Sequence, residues 1–168
     1  MVLAPRRVPR HFWSLSIACS TIADVDLIGL LGGIPYDHFF GHRGFVHSLF
    51  FGMVVSIAAT RFMFSRAKEE PGGWVPYFAF FFLLSASHGL LDALSNGSIG
   101  VALLSPFDTT RYFFPWQPIS MMRIRVFMRT WSFAAIESEL LWIWLPSLFV
   151  ILVSWTIRRK AKRRGAGA

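Results

Sequence analysis

Four stretches of the chain run apolar with few polar interruptions: Phe12 to Leu31, Phe45 to Phe64, Trp74 to Leu94 and Trp131 to Ile157. A helix rises about 1.5 Å per residue, so about 20 apolar residues cross a hydrocarbon layer roughly 30 Å thick. Each stretch reaches that length, and the pattern predicts an all-α, polytopic membrane bundle of about four transmembrane helices. The fourth contains Pro146, which lacks a backbone N–H and is expected to kink or break its helix. Between the stretches lie a short Gly/Pro/His loop at 32–44, the polar turn SRAKEEPGG at 65–73 and a longer irregular connection at 96–130. No internal repeat or low-complexity linker interrupts the chain, so residues 1–168 read as a single membrane-embedded domain.

Composition sharpens this picture, because 54% hydrophobic residues with 18 Phe and 7 Trp exceed what the core of a soluble 168-residue domain requires. The net charge of +8 does not point to nucleic acid: basic residues flank the apolar blocks instead of forming a stripe with polar readers, so the expected partner is the lipid bilayer. The single Cys19 sits inside an apolar stretch and rules out a disulfide framework or a cysteine-rich metal site. Arg6 and Arg7 ahead of the first block give it a signal-peptide look, but no clean small-residue cleavage site follows, and the segment is expected to be retained. Four spans put both termini on one side. That side, with the 65–73 turn, collects twelve Lys and Arg, against five in the other loops, which places the termini in the cytoplasm and the 32–44 and 96–130 loops outside.

An ionised side chain deep in a membrane helix costs at least about 2.5–3.5 kcal/mol and therefore needs a reason. Asp24 and Asp26 fall late in the first block, His38 and His42 in the following loop, His47 at the start of the second block, and His88 and Asp92 near the end of the third. With helices of alternating direction, all of them gather toward one membrane face. His88 and Asp92 are spaced i, i+4 and share a helix face, which suits either a two-ligand clamp or a locally satisfied ion pair. Asp24 and Asp26 would face opposite ways on a regular helix, so either the helix is broken there or only one of them is a ligand. His42 reaches the site only from the loop, with Gly44 marking the start of the second helix. Arg43, Arg111 and Arg125 are candidates for phosphate recognition, or for contact with lipid headgroups. Glu139 is expected to face the bundle. Imidazoles and carboxylates without a thiolate suit Zn²⁺, with Mn²⁺ or Fe²⁺ as alternatives. The chain has no serine nucleophile elbow, Walker loop or dinucleotide fingerprint, which leaves metal-activated water as the available hydrolytic chemistry.

The segments IADVDLIG (22–29), GHRGFVHSL (41–49) and HGLLDALSNGSIGVALLSPF (88–107) resemble the ordered motifs of the bacterial membrane-bound, metal-dependent hydrolases of the YdjM-like family, itself distantly similar to zinc-dependent phospholipase C. The resemblance covers residues 12 to 157. It implies a divalent metal, most simply Zn²⁺, on Asp24, Asp26, His42, His47, His88 and Asp92, with His47, Asp92 and Arg43 as the catalytic candidates. It also implies a small-molecule or lipid ester as substrate and a site on the outer face of the bacterial inner membrane. Ala23 and Val46 stand where the family pattern has Pro and Thr, and His11 is the one histidine ahead of Asp24.

Two other readings fit the same residues. In one, the His/Asp cluster or its metal merely ties helices together; in the other, the protein is a proton-linked transporter, which suits less well because the titratable groups do not form a relay across the midplane. The topology is directly testable: a C-terminal fusion to a reporter active only in the periplasm is expected to stay silent, and signal from it would reverse the assignment.

Overall fold

The computed structural model describes residues 11–63, 73–96, 99–120 and 133–165. The N-terminal arginines, most of the 65–73 turn, and Arg123, Arg125 and Arg129 lie outside the described residues. In chain order the elements are α1 (His11–Thr21), a 3₁₀ turn (Ile22–Val25), α2 (Asp26–Leu31), a second 3₁₀ turn (Phe45–His47), α3 (Leu49–Met63), α4 (Val75–Ala93), α5 (Phe133–Glu139), a π-helical turn (Leu140–Trp144) and α6 (Leu145–Gly165). Among the described residues there is no strand, only isolated bridges joining Ser95 to Ile119 and Val101 to Tyr112. The protein is all-α, as the apolar blocks predict.

Three helical stretches are long and apolar enough to cross a bilayer: Phe12–Leu31, Val75–Ala93 and Ile136–Ile157. The second predicted block differs. Its helix starts at Leu49, not Phe45, because Ser48 caps it: Ser48 has extended dihedrals (φ −75°, ψ 154°) and its hydroxyl accepts the Phe51 N–H at 3.0 Å. The 15 residues of α3 then extend only about 22 Å. The fourth block also departs from expectation, since Pro146 does not break it. A π turn immediately before the proline widens the helix where the Pro146 ring would otherwise press on the carbonyl of Trp142.

The chain divides into two compact units, chiefly Leu3–Leu94 with Ser98–Trp116, and Ser95–Gly97 with Gln117–Ala168. In the second unit, the stretch Ile136–Ile157 exposes apolar side chains all round, as a lipid-facing helix does, and Glu139 is exposed instead of facing inward. In the first unit, α4 packs against both α1 and α3. Its apolar core, Phe12, Cys19, Ala59, Tyr77 and Phe81, occupies the end formed by the start of α1, the start of α4 and the later part of α3. Phe12 anchors it, with its ring 4.9 Å from that of Phe80 and 5.6 Å from that of Phe81. The titratable residues collect at the opposite end of the same helices.

The backbone there is tightly apposed. A Cβ on Gly89 would lie 2.6 Å from the carbonyl oxygen of His47, and Cβ atoms on Gly41 and Gly44 would lie 2.3 and 2.4 Å from the carbonyl oxygens of Pro35 and Phe39. Gly89 thus lets α4 touch the turn that carries His47. Gly89→Ala is expected to force the two apart at a cost of about 1–3 kcal/mol, read as a lower unfolding midpoint in detergent, whereas Gly33→Ala, with nothing within 4 Å but a φ of +91°, should be penalised for its backbone conformation alone.

Candidate metal centre

The first unit presents six titratable side chains from four helical elements and one loop. Asp24 and Asp26 are brought to the same side by the 3₁₀ turn Ile22–Val25. Residues two apart differ by about 200° round an α-helix but by about 240°, equivalent to 120° the other way, in 3₁₀ geometry, so tightening the helix brings the two carboxylates toward one face. The sequence left open a broken helix or a single ligand; the structure keeps both carboxylates at the cluster by changing the helix type.

His47 is the hub. Its side chain is completely buried, with Nδ1 3.0 Å from Asp26 Oδ2 and Nε2 3.2 Å from Asp92 Oδ2. Asp24 Oδ1 lies 3.8 Å from His47 Nε2 and 3.4 Å from His88 Nε2, while His88 Nε2 lies 3.8 Å from Asp92 Oδ2. His42 joins from the loop, with Nδ1 2.7 Å from Asp26 Oδ1. The cluster thus resolves into two groups that share His47: Asp24, His47 and His88 on one edge of its ring, and Asp26, His42 and His47 on the other, with the ligating atoms of each group within 4.8 Å of one another. Neither group unites Asp26 with His88. His38 stays apart on the exposed loop, where its Nδ1 accepts the Phe40 N–H.

On one edge His42 and Asp26 make an ordinary hydrogen bond and Asp26 also accepts the backbone N–H of Arg43 at 3.1 Å, while His47 Nδ1, 3.0 Å from Asp26 Oδ2, makes none. On the other edge, the His47 and His88 Nε2 atoms are buried near carboxylate oxygens, yet the ring N–H directions miss those oxygens and no hydrogen bond forms. Buried nitrogen and oxygen atoms that come this close without a hydrogen bond could share a cation. The four separations, 3.2 to 3.8 Å, bracket the roughly 3.3 Å edge of a tetrahedron with ligand distances of about 2.0–2.1 Å. Charge bears on the same point: among the described residues one guanidinium, that of Arg43, reaches the cluster's three carboxylates, and it pairs with Asp92. With neutral imidazoles two negative charges remain, which is what a divalent cation, or two protonated histidines, would balance.

Arg43 is 2% exposed and is spent inside the protein. Its Nη2 donates to Asp92 Oδ1 at 3.1 Å and its Nη1 to the Asp92 carbonyl at 3.3 Å, leaving Oδ2 facing the histidines. To reach there its backbone takes φ +62°, a left-handed conformation that costs a non-glycine residue about 1–2 kcal/mol. Arg111 is likewise committed, donating to the carbonyls of Tyr36 (2.7 Å) and His42 (3.0 Å), so neither of these two candidate arginines presents an open guanidinium to a phosphate. The sequence motifs pointed to the six titratable residues. They gave no sign of Gly89 as the contact that seats His47, although its place directly after His88 is a readable hint.

A profile of the YdjM inner membrane protein family matches residues 1–162. The chain belongs to that family. The inner membrane protein YbcI of Escherichia coli (strain K12) is 31% identical to it over 159 residues, covering 94% of this chain and 90% of that protein. No solved structure matches. The motif-based resemblance to YdjM-like proteins is thereby established at the level of the family and of inner-membrane location; neither description names an activity. Together with the three apolar spans it makes the chain a multi-pass inner membrane protein.

The sharing of His47 orders the effects of substitution. His47→Ala, His88→Ala and Asp92→Ala should each lower divalent-metal affinity by at least about tenfold, with His47→Ala the most severe and His38→Ala unchanged. Elemental analysis of purified protein titrated with metal reads this directly, and equal metal retention in all four variants would rule the centre out.

Proposed function

We propose that the protein is a membrane-bound, metal-dependent hydrolase that uses a metal-activated water on a phosphodiester or other ester, with a lipid as the natural class of substrate. The observation that supports it most is the edge of His47 where His47 Nε2, His88 Nε2, Asp24 Oδ1 and Asp92 Oδ2 converge, both imidazole nitrogens being buried there without a hydrogen bond. Of these, His47, His88 and Asp92 would hold a divalent ion and leave a position for water on the side of Asp24; Zn²⁺ fits the nitrogen and oxygen donors best, with Mn²⁺ or Fe²⁺ also accommodated. Such an ion supplies Lewis acidity and lowers the pKa of a bound water toward about 7.

The chain's own residues divide the remaining work. Asp26 sits at the Nδ1 edge of His47, with His42 and the Arg43 N–H behind it, and fixes the orientation of the imidazole as an outer carboxylate does in metalloenzymes. Arg43 holds Asp92 through Oδ1 and is a positioning residue rather than a substrate contact. Asp24, at 42% the most exposed side chain of the cluster, is where water and substrate reach the site and is suited to accept a proton from the attacking water. His88, about one-fifth exposed, flanks that opening. In this reading the short α3 also crosses, giving four spans, so that both termini are cytoplasmic and the site faces the periplasm.

The competing reading, a structural cluster, predicts bound metal without turnover. Purified protein assayed on a generic phosphodiester and a generic carboxylic ester should show hydrolysis that chelator abolishes and metal restores. Asp24→Asn should retain metal more nearly than His47→Ala while losing about 100-fold or more in kcat. Stoichiometric metal with no chelator-sensitive turnover on either substrate class would favour the structural reading.

A further inference from the structure

Residues 99–116 of the first unit form no helix, yet they expose a run of large apolar side chains. Phe107 is 83% exposed, Phe113 and Trp116 each 59%, Leu104 49% and Phe114 41%. An apolar surface of this kind on a protein needs an occupant. We propose that this segment is an interfacial platform that lies in the headgroup–acyl boundary of the bilayer and seats the mouth of the His/Asp cluster at that level.

The segment is built for such a setting. Irregular backbone enters a membrane only if its polar groups are satisfied within the protein. Val101 and Tyr112 exchange both of their backbone hydrogen bonds at 2.8 Å, the N–H groups of Phe107 and Asp108 both reach the Leu104 carbonyl, and the Phe114 N–H reaches the Ala93 carbonyl at the end of α4. Pro106 and Pro115 have no N–H to satisfy. The large outward side chains are apolar or aromatic, the polar Asp108, Thr109 and Thr110 are grouped at one turn, and Arg111 turns inward to backbone carbonyls, so the segment is amphipathic without being helical.

Its apolar face continues the lipid-facing surface of the spanning helices. The Phe107 ring packs edge-on to that of Phe50 at the start of α3, 5.6 Å between centroids, and the Leu49 N–H is bound to the Leu103 carbonyl. Leu90 and Leu91, exposed near the end of α4, adjoin the Ala93 attachment point. The depth is set by Asp108, Thr109 and Thr110, which sit exposed or partly exposed beside Phe107. Hydrogen bonds from Thr110 and from the Tyr112 hydroxyl hold the Asp108 carboxyl below its ordinary range, so it stays ionised and keeps to the wet side of the boundary. Phe, Trp and Tyr around such a charge are the composition of a membrane interface, not of a hydrocarbon centre. The inference needs only the inner-membrane location and stands whether or not the cluster is catalytic.

The test uses the full-length protein with buried Cys19 replaced by Ser, reconstituted in vesicles of phosphatidylethanolamine and phosphatidylglycerol. Phe107→Cys, Phe113→Cys and Trp116→Cys carry a polarity-sensitive fluorophore; Asp37→Cys in the outer loop and Leu83→Cys in α4 are the references for water and for acyl chain. The platform positions should emit to the blue of Asp37→Cys, lose most iodide quenching, and be quenched more by a nitroxide at carbon 5 of the lipid chain than at carbon 12. Iodide quenching equal to that of Asp37→Cys would overturn the proposal. So would shielding from both iodide and lipid nitroxides, which would mean that protein covers the face, or the deep quenching profile of Leu83→Cys. Agreement among the three platform positions guards against one label disturbing the fold.

Discussion

The buried contact of His47 with two aspartates governs the architecture of the first unit. Enclosing carboxylates away from water is costly unless each finds partners, and the surrounding backbone supplies them. Asp26 takes His42 and the Arg43 amide; Asp92 takes the Arg43 guanidinium. The 3₁₀ turn at Ile22–Val25, the left-handed backbone of Arg43 and the bare face of Gly89 each bring one side of this contact into register. None of the three is a preferred local conformation or packing surface taken alone, so the cluster imposes them.

Depth follows from the same arrangement. Asp24 lies seven residues before the end of its span and His88 five before the end of α4, which sets the cluster about 8–10 Å inside the helical ends. Electrostatic interactions there are stronger than at a wet surface. A cation would be held more firmly for that reason, and its absence would be felt more. The aromatic packing of Phe12, Phe80 and Phe81 at the far end keeps the helices together without drawing on the charged groups.

Much of this was legible in the sequence. Block length gave four spans, of which three are long and apolar enough in the structure, and the positions of Asp24, His47, His88 and Asp92 within the blocks gave their meeting at one end. What escaped was local geometry. Hydropathy cannot show that Ser48 starts α3, because Phe45, Val46 and Leu49 are equally apolar. It also cannot show that a π turn lets the helix run past Pro146. Arg43 was open to two readings, phosphate recognition or contact with lipid headgroups, because a basic loop residue beside histidines fits either; its burial against Asp92 takes its guanidinium out of both. The division of six candidate ligands between the two edges of one imidazole depends on ring orientation, which no spacing rule encodes.

Arg111 has a consequence of another kind. One guanidinium grips carbonyls of Tyr36 and His42 from a position about seventy residues further along the chain, and its ring-facing side lies 5.4 Å from the centre of Tyr36. The loop that presents His42 and the aromatic segment after Gly100 are therefore tied together twice, by this side chain and by the backbone bond from the Ala102 N–H to the Arg43 carbonyl, so a displacement of one would carry the other with it.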